Sequence, residues 1–452
     1  MPTRPLVTPK LILAIALAGP AGAAELSGLA PGIDALFAPT AGQKLPGAAV
    51  VVLRGGEVVH SKAYGLADIE RGIPNTTRTP LRLASVTKSF TALAVLQLVE
   101  DGRLRLDDPL ERHLPGWTGG ERITIRHLLT HTAGMPDFVS LEAARTMPRD
   151  AAPGERLNYS NVGYSVLGRI VESVAGRSLE DQLRERIFAP LGMADTGVDR
   201  RAAAGDRRGA GYLFGPEGRP VPAEYADTSG DPAAGGLSST AEDMTRWVRA
   251  LIGGRIVSPS TFAQAATPVT LADGRTGAYG YGFMLVPYRG LREVGHGGDI
   301  SGFNSYVALY PDVDLAVVVL STVGMRPPGV VPTAADVVHR IVEMAAGDRL
   351  GPPWPEVATL PASTLDGYVG RYRLDVPATV AEVMGEAIEI SRDGERLVAT
   401  GKQGRAEIFP ESETAFFSKE GPVRITFVAG REGPEAVLTL LGLREFRLVR
   451  LP

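Results

Sequence analysis

Ser85-Val86-Thr87-Lys88 sets a hydroxyl and an amine three residues apart, a spacing that puts both on one face of a helix. A serine hydroxyl is a poor nucleophile at neutral pH and needs a base. A lysine serves when desolvation or neighbouring positive charge depresses its pKa, and a helix N-terminus favours the negative charge that develops. The bare tetrapeptide also fits an N-cap serine followed by a solvated amine, so it needs company. Tyr159-Ser160-Asn161, after Pro153-Gly154, offers a phenol and a carboxamide on what reads as a loop. A phenol can relay a proton to a leaving group, and a carboxamide can hold Lys88 or a substrate carbonyl. Gly295-His296-Gly297-Gly298 adds small residues that let a backbone approach a ligand, and a histidine able to donate a hydrogen bond. Each segment alone also reads as a turn.

Two other chemistries compete. His127 and His131 stand four apart on an expected helix, a spacing by which two imidazoles share a metal. Leu128, however, takes the place of the general-base glutamate of zinc proteases, and no third ligand is evident, so core or capping histidines are expected and no metal or cofactor. A Ser-His-Asp hydrolase lacks its Gly-x-Ser-x-Gly nucleophile elbow here.

Several elements must position these groups. Gly47 to His60 reads as two β-rich runs around an Arg54-Gly55-Gly56 turn, a hairpin that begins a sheet. Ser85 to Glu100 carries apolar residues at helical spacing and closes at Asp101-Gly102; Val166 to Ala175 and Leu179 to Phe188 repeat the pattern, stopped by Gly176 and Pro190. Strands return at 281–286, 291–294, 306–310 and 315–320, so both ends of one domain build the sheet, with helices between. A proline-rich linker at 347–364 follows. Beyond it, seven short runs at 368–374, 387–391, 396–400, 415–418, 423–428, 436–441 and 445–451 predict a small antiparallel barrel or sandwich.

The chain has 452 residues, enough for two domains, with 44% hydrophobic and 22% charged residues and a net charge of -4. No basic face stands out, which argues against a nucleic-acid partner. Arg4, Lys10, the apolar run Leu11 to Ala18 and Ala21-Gly22-Ala23 read as an export signal over residues 1–23, too short to span a bilayer, with the mature chain beginning near Ala24. A periplasmic or secreted location is expected, with no stable membrane span after cleavage. Absent cysteines exclude disulfides and thiol nucleophiles.

Taken in order, Ser85/Lys88, Tyr159/Asn161 and His296/Gly298 resemble the three elements of the penicillin-recognising serine hydrolases: Ser-x-x-Lys, Tyr-x-Asn and a Lys-Thr-Gly-like strand. That group comprises class C β-lactamases, DD-peptidases, D-aminopeptidases and related esterases. The stretches Ile125 to Met135, Gly235 to Met244 and Gly298 to Phe303 are similar to the same group, over roughly Pro46 to Ala345. The resemblance implies an α+β fold: a β-lactamase/transpeptidase-like domain over 24–346, with an antiparallel sheet, helices and a helical subdomain, the 347–364 linker, and a lipocalin-like β-barrel over 365–452. It implies that Ser85 attacks a carbonyl, that Lys88 and Tyr159 share its proton, and that Asn161, His296, Gly297 and Gly298 position the substrate. The oxyanion would sit between the backbone N–H groups of Ser85 and Asp299. The group's β-lactamases and carboxypeptidases usually carry lysine where His296 stands; a neutral histidine binds a substrate carboxylate less strongly. Histidine there, and a barrel opening with Tyr368-Val369-Gly370-Arg371-Tyr372, are similar to D-aminopeptidases and several esterases. The expectation is therefore hydrolysis of small esters or D-amino-acid amides or peptides, with β-lactamase or DD-carboxypeptidase activity as one alternative and a non-catalytic envelope binder as another.

Overall fold

The computed structural model describes residues 28–40, 44–137, 139–200, 207–215, 217–324, 332–376, 381–382, 384–402, 404–419, 423–429, 434–440 and 444–451. The expected export segment at 1–23 lies outside them. Among the described residues no helix is long and apolar enough to cross a membrane.

The two β-rich ends of the first domain meet in one antiparallel sheet. Strands β1 (Ala48–Arg54) and β2 (Glu57–Tyr64) form the expected hairpin, turning through Gly55 and Gly56 at φ +58° and +77°. Both turn positions need positive φ, which glycine adopts at no steric cost. Strands β3 (Val294–Ile300), β4 (Phe303–Tyr310) and β5 (Leu315–Ser321) complete the order β3-β4-β5-β1-β2. Register pairs Ala48 with Ser321 and Val294 with Leu309. Cores lie on both faces of the sheet, so the apolar residues of the interior strand β1 divide by alternation between them. Val50 and Val52 face helix α1 (Leu29–Leu36) and the later helix Ala334–Ala346; Ala49, Val51 and Leu53 face the larger core that holds the site.

Helix α2 (Thr87–Glu100) runs through that larger core and is buried from Thr87 to Leu98. It packs on α3 (Asn161–Ala175), which ends at Gly176 with φ +71°. Helix α3 starts five residues before the expected Val166. Ser160 caps it by accepting a 3.1 Å hydrogen bond from the Gly163 N–H, so Asn161 belongs to the first helical turn and not to a loop. A second correction concerns 281–286, which forms only isolated bridges such as Met284 with Gly295. The strand expected at 291–294 instead begins at Val294 and continues through the glycine-rich motif. Gly295, Gly297 and Gly298 carry no side chain to reveal an alternating pattern.

The C-terminal unit is a closed eight-stranded antiparallel barrel, its first strand Gly370–Asp375 paired with its last, Arg444–Arg450. Tyr372, Phe416, Phe427 and Leu448 fill its interior. The barrel has one strand more than expected: Gly404–Pro410, where Gly404, Arg405 and Glu407 interrupt any apolar alternation. Helicity also outlasts expectation, since Ala362–Tyr368 is helical from the end of the proline-rich segment into the start of the barrel domain, and Tyr368 stacks on Phe427 at 3.9 Å.

Candidate active site

Strand β3 and the N-terminal end of α2 bring the motif residues together. Ser85 lies in the 3₁₀ turn Ala84–Val86 that leads into α2. Ala84 holds φ +46°, a left-handed conformation that costs a non-glycine residue on the order of 1 kcal/mol or more. The strained turn leaves Ser85 partly open to solvent while Lys88, one helical turn on, is fully buried.

The Lys88 amine meets three oxygens: Ser85 Oγ at 3.1 Å, Asn161 Oδ1 at 2.8 Å and the Ala234 carbonyl at 2.7 Å. Burial drives its pKa from 10.5 down to about 7, against the opposing pull of Asp137. The Tyr159 phenol faces the Ser85 side chain, and its ring centre lies 4.9 Å from Lys88 Nζ. Burial raises the Tyr159 phenol further above its ordinary pKa, so it stays protonated at neutral pH. The distant phenol that the sequence placed beside the serine and the lysine is therefore there.

Neutral Lys88 has two N–H groups and one lone pair. The Asn161 and Ala234 oxygens can only accept, so they take the two N–H groups. The lone pair is then left for the Ser85 hydroxyl, which orients the amine as a base. Asn161 is itself held by buried Asp137, whose Oδ1 accepts from the Asn161 backbone N–H at 3.0 Å and from its carboxamide at 3.3 Å. This fixes which end of the carboxamide faces Lys88.

Gly298 sets how closely β3 approaches the serine. A Cβ there would fall 2.2 Å from the Leu83 carbonyl, 2.5 Å from Ser305 Oγ and 3.0 Å from the Ser85 nitrogen. Gly295 exchanges both its backbone hydrogen bonds with Met284 instead of β4. By strand alternation the N–H groups of Gly297 and Asp299 point to the same side of β3, away from β4. Gly298→Ala is expected to push β3 away, lowering kcat/KM at least about tenfold and stability by about 1–3 kcal/mol. Kinetics and thermal melts on the purified variant check this, and wild-type rates with an unchanged melt would contradict it.

His296 is nearly fully buried, and both its ring nitrogens are engaged by the protein. The Gly297 carbonyl at 2.6 Å can only accept, so Nδ1 carries the proton and Nε2 accepts from the Tyr279 hydroxyl at 2.8 Å. Burial holds its pKa down to about 3, so the ring is neutral. Position 296 thus offers a substrate neither a cation nor a free ring N–H, although a hydrogen-bond donor was expected.

His127 and His131 do not form a pair. The helix Ile125–Leu129 ends before His131, which turns away at φ +58°. Each Nδ1 accepts a backbone N–H, His127 from Thr124 at 3.2 Å and His131 from Ser160 at 3.1 Å. His131 packs tilted against the Tyr159 ring at 4.1 Å and so shapes the wall behind the phenol. Among the described residues no group of three or more His, Cys, Asp or Glu side chains is placed to hold a metal ion.

Sequence reasoning missed Asp137, Tyr279 and the Ala234 carbonyl. Asp137 lies two residues past the Ile125 to Met135 stretch and was within reach of it. A main-chain carbonyl leaves no trace in residue type.

The Beta-lactamase family profile matches residues 33–339, and a domain of unknown function, DUF3471, matches 355–447. Penicillin-binding protein 4* of Bacillus subtilis (strain 168) is 29% identical over 433 residues, spanning 86% of this chain and 91% of its own. The octameric penicillin-binding protein homologue from Pyrococcus abyssi aligns with a TM-score of 0.61 at 28% identity, over 93% of this chain and 99% of its own. The D-amino acid amidase from Ochrobactrum anthropi SV3 aligns with a TM-score of 0.62 at 28% identity, over 72% of this chain and 100% of its own.

Proposed function

Since the chain belongs to the beta-lactamase family, we propose that it is a serine hydrolase that forms an acyl-enzyme on Ser85. The observation that carries this reading is the buried Lys88 amine, hydrogen-bonded to Ser85, Asn161 and Ala234, with the Tyr159 phenol beside the same serine. Neutral Lys88 takes the Ser85 proton as the hydroxyl attacks the substrate carbonyl. The oxyanion is held by the backbone N–H groups of Ser85 and Asp299. Tyr159, protonated and in contact with Ser85, passes a proton to the leaving group and draws its replacement from Lys88. Water then enters, gives a proton to the same pair as it attacks the acyl carbonyl, and the pair returns that proton to Ser85 as the acyl–oxygen bond breaks and the acid leaves.

The substrates we propose are small esters and D-amino-acid amides or peptides, and the protein acts outside the cytoplasm. Neutral His296, tied to Tyr279 and Gly297, supports this ranking because it supplies no cation for the carboxylate of a β-lactam or peptidoglycan stem. The likeness to a D-amino acid amidase points the same way. Penicillin-binding relatives favour a second reading, β-lactamase or DD-carboxypeptidase. Rates on p-nitrophenyl acetate, a D-alanyl amide and nitrocefin separate the two. The ester or the amide is expected to lead, and a nitrocefin rate far above both would give the second reading.

A further inference from the structure

We propose that the C-terminal barrel is part of the hydrolytic site, supplying Arg444 as a positioning residue that acts on Lys88 through Asp137 and Asn161. Arg444 opens the last barrel strand, 307 residues from Asp137 in sequence, and its guanidinium pairs with the Asp137 carboxylate. That carboxylate is only 3% exposed, so without a cation it would be a buried, unbalanced charge, which is strongly destabilising. The same carboxylate holds both the backbone and the side-chain nitrogen of Asn161, and Asn161 Oδ1 holds Lys88. The line Arg444, Asp137, Asn161, Lys88 is unbroken from the barrel to the base.

Two further contacts fix the barrel strand where this line requires it. Arg444 bridges the backbone of Asn158, next to Tyr159, and the guanidinium lies 5.9 Å from the Tyr159 ring centre. Glu445 accepts two hydrogen bonds from Arg275, at 2.9 and 3.1 Å. Asp137, Asp231 and Arg444 carry charge near Lys88. His131 and His296 are held neutral by burial, and Tyr159 and Tyr164 protonated. Arg444 opposes the two carboxylates, so its loss leaves Asp137 unbalanced and shifts Lys88 toward its protonated form.

The activity arm of the test rests on the serine-hydrolase reading; a second arm does not. The full chain has six lysines, so protein labelled with carbon-13 at the lysine ε-carbon gives few signals, and Lys88→Met identifies the one that matters. In Arg444→Ala the Lys88 titration midpoint is expected to move up, kcat/KM on p-nitrophenyl acetate at neutral pH to fall about tenfold or more, and the acid limb of the pH–rate profile to move with the midpoint. Arg444→Lys is expected to restore the midpoint in part, which a loss of packing alone would not explain. A folded Arg444→Ala protein with an unmoved Lys88 midpoint overturns the proposal, whatever its rates. Wild-type protein inert toward every acyl substrate, but with a Lys88 midpoint that moves in Arg444→Ala, would sink the hydrolase reading and leave the barrel contact standing.

Discussion

Ser85→Ala is expected to lower kcat/KM on the best ester or amide substrate by at least about 10⁴-fold, because among the described residues Lys88 hydrogen-bonds to no other hydroxyl. Tyr159 is the other hydroxyl at the site, and burial raises its pKa, which makes it a poor replacement. The fold should survive. Ser85 is partly open to solvent and the substitution removes one oxygen, so stability should change by no more than about 1 kcal/mol. Matched thermal melts with a full loss of turnover would separate missing chemistry from unfolding. Residual turnover within about tenfold of wild type would remove Ser85 from the mechanism.

Lys88→Met carries the second large effect. Methionine keeps much of the volume and discards the amine, so kcat/KM should fall about 10²–10⁴-fold, the usual contribution of a general base. Stability reflects opposing terms. The Asn161 and Ala234 oxygens lose their donor, which costs about 1–3 kcal/mol each, while removing a buried amine relieves its desolvation penalty. A modest net change follows. The pH dependence has a definite sign. Catalysis needs neutral Lys88, whose pKa is depressed to about 7 by burial. With an uncharged ester, log kcat/KM should rise about one unit per pH unit below about 7 and level off above it. His296, with its pKa near 3, does not titrate in that window. A profile flat from about pH 5 to 9 would deny Lys88 the role of base.

Much of this site was legible because its parts sit in local patterns. Helical spacing announced α2 and put Ser85 and Lys88 on one face, and the tyrosine and asparagine stand just before a second readable helix. What the sequence hid was long-range or lacked a side chain. The Ala234 carbonyl has no residue signature. Asp137 gains its meaning from Asn161, 24 residues on, and from Arg444, 307 residues on. His296 was marked by the glycines around it, but its ring orientation depends on Tyr279, which lies outside the strands of the sheet. The fold followed the same division. Hairpin, buried helix and barrel could be anticipated from turns and periodicity, whereas the strand Gly404–Pro410 was masked by charge and glycine, and β3 by three glycines.

The most direct measurement is tandem mass spectrometry of the intact protein and its peptides after reaction with a fluorophosphonate probe. A single adduct is predicted, on the peptide containing Ser85, absent from Ser85→Ala and strongly slowed in Lys88→Met. An adduct on any other residue, or one that persists in Ser85→Ala, would contradict an acyl-enzyme formed at this serine.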